Sequence, residues 1–323
     1  MSRGLLHVKG CAGLGNRLIT AAAAIEYATK NGRRVYIDWS DGQFAQKGVN
    51  AFENYFCLNK SCLWATREEV LDSNLTCYPS KIWQNEYSID EFAIPVSLLK
   101  HAFVRNRITG SAARWSSAWK QKSEKRGQLF APFLKSYLEF GEHLKNGINK
   151  DLVFFASYRP EIDLNKIVTH LSLRTKISKK VGAFVIENEL EEKAIGVHIR
   201  HTDKQPLRNF EEIKSKIASL LIECDRVFVC TDNHEIEVAI TSWFPNVVIQ
   251  EKFYPENFEG GLHQYSIQTG DYSHLDQSFL ESIIDMWSLS KCKYLLYQGN
   301  SSFSLISNAL RNETLESRNW LDL

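Results

Sequence analysis

The stretch from residue 194 to residue 204 reads AIGVHIRHTDK, an apolar strand followed by an imidazole, a guanidinium, a carboxylate and an ammonium. Side chains alternate between the two faces of a strand, so His198 and Arg200 share one face. Such a pair at the carboxyl end of a strand suits an anionic ligand, with Asp203 and Lys204 shaping the loop that follows. The alternative is a structural ion pair between Arg200 and Asp203 that closes a strand-to-helix loop.

A second group of residues with possible chemistry is glycine-rich. Gly10, Gly13 and Gly15 precede a predicted alanine-rich helix from about Asn16 to Asn31. Glycine turns before a helix let backbone N–H groups approach phosphate, which makes Gly13, Gly15 and Asn16 candidates for binding it. The alternative is a tight turn that binds no ligand.

Ser301 and Ser302 begin another predicted helix, where hydroxyls and N–H groups bind phosphate or simply cap the helix. Arg200 suits the same ligand, because a guanidinium makes paired, charge-assisted bonds to phosphate oxygens that lysine does not reproduce. Thr231 and Asp232 follow a further apolar stretch. Since ligands of parallel sheets bind at the carboxyl ends of the strands, we predict that all these residues lie along one rim.

Together these motifs resemble those of the GDP-fucose-dependent fucosyltransferases. The pattern His198-x-Arg200-x-x-Asp203-Lys204 is similar to the H-x-R-R-x-D-K signature of the α-1,6-fucosyltransferases, which include nodulation and N-glycan core enzymes. The α-1,2 and protein O-fucosyltransferases carry shorter versions of it. Further stretches resemble the same superfamily, in family order: 10–17, 227–233, 284–290 and 294–303.

The resemblance implies that His198 and Asp285 read the guanine edge, whose N–H donors match a carboxylate. On sequence pattern alone, Asp285 would instead be interpreted as a solvated surface acid. It lies outside the apolar stripe of the helix predicted at 274–291 and shares a face with Ser278 and Ser282.

Two positions depart from the family pattern. His201 stands where the family has a second arginine, and Arg208 stands where the core enzyme has the acidic residue that serves as acceptor base. The catalytic base is therefore open, and the candidates are Asp38, Asp41 and Glu211.

Strands alternate with helices along the second half of the chain, and a βαβ unit begins it, which favours parallel sheets flanked by helices. The length of 323 residues suggests two domains. With the resemblance, we predict an α/β chain of the GT-B class, two Rossmann-like domains facing across a cleft. Residues 1–160 would form the acceptor-side domain and residues 161–323 the donor-binding domain. The sequence also predicts a helix at 173–190 and a strand at 247–252.

Composition excludes several classes of protein. A net charge of +1 gives no support for a nucleic-acid partner, and no stretch approaches the ~20 apolar residues of a membrane span. Seven cysteines without a C-x-x-C pair favour neither a disulfide framework nor a zinc site. We therefore expect a cytoplasmic protein. Its basic segment 105–126, with Trp115 and Trp119, is either a solvated helical face or a patch for peripheral membrane or glycan contact.

The expected reaction is inverting transfer of fucose from GDP-fucose to a hydroxyl of a glycan or glycolipid acceptor. No cofactor or divalent metal is expected, because Arg200 and helix N-termini would carry the charge and no D-x-D motif occurs. Two alternatives stay open: a transferase of the same fold with another nucleotide-sugar donor, and a nucleotide- or carbohydrate-binding relative without turnover. A dinucleotide oxidoreductase is discounted, because no acidic ribose-binding residue accompanies the Gly10 loop.

Overall fold

A computed structural model of the chain describes residues 4–10, 12–59, 63–78, 84, 148–155, 160, 162–201, 210–256, 258 and 265–322. The predictions for Asp203, Lys204, Arg208 and the segment 105–126 fall outside these ranges. Among the described residues the strands are β1 (Leu5–Lys9), β2 (Arg34–Asp38), β3 (Phe56–Leu58), β4 (Cys77–Tyr78), β5 (Leu152–Phe155), β6 (Leu171–Leu173), β7 (Ala194–Ile199), β8 (Arg226–Thr231), β9 (Val247–Ile249), β10 (Tyr294–Tyr297) and β11 (Glu316–Asn319).

The helices in the same ranges are α1 (Leu14–Lys30), α2 (Ala51–Tyr55), α3 (Arg67–Val70), α4 (Lys166–His170), α5 (Thr175–Glu187), α6 (Leu190–Lys193), α7 (Phe210–Leu220), α8 (His234–Trp243), α9 (Tyr265–Thr269), α10 (Leu275–Lys291) and α11 (Ser302–Ala309), with a 3₁₀ helix at Trp320–Asp322. None of them combines the length and the hydropathy that a bilayer-spanning segment needs.

The first sheet has the order β2-β1-β5-β4, and its neighbouring strands are parallel. Helix α1 links β1 to β2, and its run of alanines lets it pack with almost every side buried. The helix ends where the sequence predicts, with Asn31 as C-cap and Gly32 in the left-handed region at φ +63°. It begins earlier than predicted, so that Gly13 is the N-cap and Gly15 lies in the first turn.

The second sheet has the order β11-β10-β7-β8-β9 and is also parallel throughout. Strands β7 and β8 run in register, with Ile199 opposite Thr231, and Leu296 of β10 lies opposite Val197 of β7. The carboxyl ends of β7, β8 and β10 therefore reach one rim of the sheet, which confirms the prediction for these strands.

The two sheets are joined through a shared core. Phe279, Ile283 and Met286 of α10 and Ile306 of α11 belong to the same buried cluster as the apolar residues of α1. Helices α1 and α11 approach so closely that a Cβ atom on Gly15 would lie 2.6 Å from the carbonyl carbon of Ser302. Only glycine allows that approach, and it brings the N-termini of the two helices together.

Two predicted bounds were wrong in detail. The helix expected at 173–190 is two helices, α5 and α6, because Glu189 adopts a left-handed conformation at φ 50° between them. The strand expected at 247–252 ends at Ile249, so Lys252 lies outside the strand. The predicted division at residue 160 stays a prediction. Strand β6, which follows that residue, pairs antiparallel with β3 of the first half.

Candidate functional site

A cavity lies where the two halves meet. The first half contributes the start of α1 together with Gln43 and Phe44. The second half contributes the ends of β7 and β8, the segment after β9, one face of α10 and the start of α11. Of the predicted donor-site residues, those that line the cavity are Gly13, Gly15, His198, Arg200, Thr231, Asp232, Asp285 and Ser302.

Arg200 follows β7 directly, and its backbone is fixed from the neighbouring strand. Its N–H donates to Gln298 Oε1 at 2.7 Å, and the N–H of His201 donates to Asp232 Oδ1 at 2.7 Å. The Arg200 Nε atom lies 3.8 Å from Asp232 Oδ2, and the arginine side chain is 19% exposed. At 3.8 Å this contact is an ion pair rather than a hydrogen bond. The guanidinium is therefore oriented by Asp232 and still reaches the cavity.

The helix N-termini supply a second source of positive charge. Neither α1 nor α11 has an acidic residue in its first turn. The N-cap of α1 is Gly13, which has no side chain, and the Ser301 side chain at the N-cap of α11 makes no capping hydrogen bond. The first N–H groups of a helix have no partner inside it, and each N-terminus carries roughly half a positive charge. Two such ends in contact at Gly15 and Ser302 repel each other unless an anion lies beside them.

The serine pair behaves as more than a simple cap. Ser301 is the N-cap residue of α11 and is fully buried, but its hydroxyl has no hydrogen-bond partner among the described residues. Ser302 lines the cavity itself. Asn16, in the first turn of α1, does not line the cavity, and its buried Oδ1 likewise lacks a partner within the described ranges.

His198 is held in one orientation at the cavity wall. Its Nδ1 lies 2.6 Å from the Ser304 hydroxyl, which also accepts a hydrogen bond from the Gln298 backbone at 2.9 Å. The imidazole stacks on Phe303, with ring centroids 4.9 Å apart and planes 18° from parallel. The Ser304 contact and the stacking on Phe303 together fix the orientation of the ring.

Asp285 is buried, which corrects the interpretation of this residue as a solvated surface acid. Its exposure is 5%, and its Oδ2 lies 2.8 Å from Lys252 Nζ. Its other oxygen, Oδ1, is buried without a hydrogen-bond partner within the described residues. Burial raises the pKa of the Asp285 carboxyl, against the opposing charge of Lys252. A cavity-lining carboxylate with one open oxygen accepts hydrogen bonds from a ligand.

Lys252 was missed by the sequence reasoning. Its ammonium contacts Asp285, donates to the Thr231 carbonyl at 3.3 Å and lies 3.6 Å from Glu237 Oε1. Burial alone would lower the pKa of Lys252, but the Asp285 carboxylate raises it above its usual range. The only available signal was an isolated lysine after a short apolar stretch, which does not identify its partner.

Glu281 was also missed. It lies one helical turn before Asp285, is 8% exposed and lines the cavity. Within the described part of the chain it makes no hydrogen bond or ion pair. Its carboxylate is thus a further acceptor for hydroxyl or N–H donors of a ligand.

None of the candidates for the catalytic base lines the cavity. Asp38 is buried and bonded to His7 at 2.7 Å and Lys9 at 3.1 Å. Asp41 is buried in an ion pair with Arg17. Glu211 lies exposed in the first turn of α7. None of the three is among the lining residues, so the geometry favours none of them.

Comparisons with known proteins agree with this architecture. No family model matches the chain. Nodulation protein Z of Azorhizobium caulinodans is 24% identical over 155 residues, which are 42% of this chain and 44% of that relative. The matched region therefore spans less than half of the relative's length.

Several solved structures with a similar fold are fucosyltransferases. NodZ α-1,6-fucosyltransferase co-crystallized with GDP superposes with a TM-score of 0.63 and 19% identity, over 96% of this chain and 93% of that one. NodZ from Bradyrhizobium gives a TM-score of 0.62 at the same identity and coverage. POFUT1 in complex with GDP-fucose gives 0.53 and 13% identity, over 98% and 97% of the two chains.

The chain therefore has the GT-B fold, with two parallel Rossmann-like sheets facing across a cavity. Within this class it resembles the fucosyltransferases NodZ and POFUT1, which confirms the resemblance first seen in the motifs.

Proposed function

We propose that the protein is a glycosyltransferase that moves fucose from GDP-fucose to a carbohydrate hydroxyl by inverting displacement. The observation that carries this proposal is that one cavity is lined by Arg200, by the meeting N-termini of α1 and α11, and by Asp285, whose Oδ1 has no partner among the described residues. The arginine and the helix N-termini suit a diphosphate, and the carboxylate suits a base with N–H donors. A guanine nucleotide joins these two chemical features in one ligand.

The proposed chemistry at the phosphate end is stabilisation of a leaving group. As the glycosidic bond breaks, negative charge grows on the diphosphate. Arg200, which Asp232 orients, and the N-termini of α1 and α11 line the same cavity, and charge held in place in this way needs no rearrangement as the bond breaks. Ser302, the first residue of α11, lines this cavity too. Because the protein supplies this charge itself, the reaction is proposed to need no divalent metal.

The guanine donor is favoured by the neighbours as well as by the cavity. NodZ was crystallised with GDP and soaked with GDP-fucose, and POFUT1 was solved with GDP-fucose. In this chain, His198 and Asp285 are proposed to read the base. Asp203 and Lys204 are proposed to shape the loop after Arg200. A glycan or glycolipid is the proposed acceptor.

Titration calorimetry with GDP-fucose, GDP-mannose and a UDP-sugar tests the donor. Tighter binding of GDP-fucose than of both others supports the proposal, and preference for another sugar nucleotide assigns the alternative donor. A second assay measures GDP release in the presence of an oligosaccharide panel, with the anomeric configuration of the product read by NMR. A product that keeps the donor's anomeric configuration refutes inversion.

A second function, nucleotide-sugar binding without turnover, is favoured by one observation. Asp38, Asp41 and Glu211 are not among the residues that line the cavity, and Arg208 stands where the family has its acidic residue. Under this alternative, GDP-fucose binds but only slow hydrolysis follows, with no transfer to any oligosaccharide. The acceptor panel described above separates the two functions.

A further inference from the structure

We infer that Lys252 is a positioning residue that sets nucleobase preference: it holds Asp285 as an oriented carboxylate whose open oxygen accepts a base N–H. The inference rests on the proposed function, since it requires that Asp285 contacts the base. Lys252 itself need not touch the nucleotide.

The geometry fixes the ammonium on several sides. An ammonium has three N–H donors. Those of Lys252 face Asp285 Oδ2 at 2.8 Å, the Thr231 carbonyl at 3.3 Å and, at the longer distance of 3.6 Å, Glu237 Oε1. The lysine side chain is only 6% exposed, so solvent offers little competition. Its position is therefore determined by β8, α8 and α10 together.

The consequence for Asp285 is an asymmetric carboxylate. Oδ2 is directed to Lys252, while Oδ1 is buried without a hydrogen-bond partner in the described residues. Leaving a buried acceptor unsatisfied is unfavourable, so a ligand that donates to Oδ1 is preferred. A carboxylate only accepts, and therefore it matches the N1–H and 2-amino donors of guanine and opposes the N1 acceptor of adenine.

Without Lys252 the same site would bring carboxyl groups together with no cation between them. The groups that face Asp285 and its partner are the Cys230 thiol from β8, Glu237 from α8 and Tyr254 from the segment after β9. Burial already raises the pKa of Asp285, and loss of Lys252 would raise it further. A protonated Asp285 keeps an acceptor oxygen but gains an O–H donor, which can bond the N1 acceptor of adenine, so its preference for guanine weakens.

The test compares affinities for GDP, IDP and ADP in the wild type, Lys252→Met and Lys252→Arg by calorimetry. IDP keeps the N1–H of guanine and lacks its amino group. We expect Lys252→Met to weaken GDP binding by roughly 10–100-fold, the effect of losing one charge-assisted hydrogen bond. The GDP/IDP and GDP/ADP affinity ratios should fall toward one. Lys252→Arg keeps the charge and should retain most of the preference.

A pH series gives a readout that general loss of structure does not produce. Titration of the nucleotide itself affects both proteins alike, so the readout is the GDP affinity of Lys252→Met relative to the wild type between about pH 6 and pH 9. This relative affinity should rise with pH, because Asp285 without its cation must first ionise. Lys193→Met is the matched control, since that lysine is exposed and pairs with Glu189 on the surface. If Lys252→Met does not fold, Glu237→Gln combined with Lys252→Met removes a second buried charge and serves in its place.

The outcomes separate this inference from the proposed function. A wild type that binds no guanine nucleotide refutes both. If the wild type binds GDP and Lys252→Met has the wild-type GDP affinity, GDP/IDP ratio and pH profile, only the role of Lys252 is overturned.

Discussion

Two buried charge clusters, one in each half of the chain, have opposite electrostatic outcomes. The amino-terminal cluster comprises His7, Lys9 and Asp38, and the carboxyl-terminal cluster comprises Lys252, Asp285 and Glu237. In both clusters, a buried aspartate lies within hydrogen-bond distance of a lysine.

The difference between the clusters is the number of partners of each aspartate. Asp38 Oδ2 contacts His7 and Lys9, and Asp38 Oδ1 accepts from the backbone and hydroxyl of Ser40. Burial alone would raise the pKa of Asp38, but these contacts lower it below its usual range. Asp285 has one oxygen without a partner in the described residues, and burial prevails there.

The number of partners separates Asp38, a charge that is used within the fold, from Asp285, a charge that we propose binds a ligand. Asp38, which has partners on both oxygens, does not line the cavity, whereas Asp285, which has one open oxygen, does. A buried charge is therefore a poor indicator of a site by itself, whereas a buried charge with an unused acceptor at a cavity is a good one.

The largest expected effect comes from removing the cavity's own guanidinium. Arg200→Ala should lower kcat by about 10²–10³-fold, the usual cost of losing a preorganised group that stabilises developing charge. Steady-state rates with GDP-fucose and the best oligosaccharide of the panel measure it. Arg226→Ala is the matched control, because Arg226 is similarly exposed at 22% but pairs with Glu189 and Asp225 at the start of β8. Full turnover by Arg200→Ala would remove the electrostatic basis of the proposed reaction.

The amino-terminal cluster should instead control stability. Burial and the Lys9 charge lower the pKa of His7 from 6.5 to about 4. Between these values the unfolded chain binds a proton that the folded chain does not, so the free energy of unfolding falls as the pH falls. The expected loss from this residue is on the order of 3 kcal/mol.

Urea denaturation between pH 7 and pH 4 measures that loss as the difference between the wild type and His7→Gln, which lacks the titrating ring. His234→Gln, at a histidine whose side chain is 68% exposed, should retain the wild-type profile. Equal pH slopes for the wild type and His7→Gln would contradict a buried neutral His7.

The same exchange at the two aspartates gives the direct test of the comparison. Asp285→Asn should weaken GDP binding by roughly 10–100-fold, because the amide can place an N–H against the N–H donors of the base. Asp38→Asn should lower the melting temperature while changing GDP affinity by less than about threefold, since Asp38 lies outside the cavity. Calorimetry and thermal melting of both variants provide the two readouts. Equal GDP affinity for Asp285→Asn and the wild type would remove Asp285 from base recognition.

The sequence predicts the sheets well because their strands are short, continuous apolar runs. Strand β8, for example, reads RVFVCT and is buried from Val227 to Thr231. Parallel alternation then places the ends of β7, β8 and β10 on one rim, and this geometric rule needs no contact information. Family motifs added the GT-B class.

The carboxyl-terminal cluster could not be predicted in the same way. Helical periodicity identifies one apolar stripe on α10, which packs on the first half through Phe279 and Ile283. The periodicity of α10 gives no sign that the helix face bearing Asp285 is also buried, because the residues that cover this face belong to β8 and to the segment after β9. No pattern in the sequence pairs Lys252 with Asp285, since this contact depends on where β9 ends.

The smallest expected effect is that of a chelator. In the cavity, positive charge comes from Arg200 and from two helix N-termini whose first turns hold no acidic residue, so a diphosphate can be neutralised without a divalent ion. Initial rates with and without EDTA should therefore agree within about twofold, as expected where protein groups replace a metal in stabilising the leaving phosphate. Activity that disappears with EDTA and returns with magnesium or manganese would show that these fixed charges are insufficient. The carboxyl-terminal half would then depend on an external cation, unlike the amino-terminal cluster, where the Lys9 ammonium neutralises Asp38 and the neutral His7 ring contacts it within the fold.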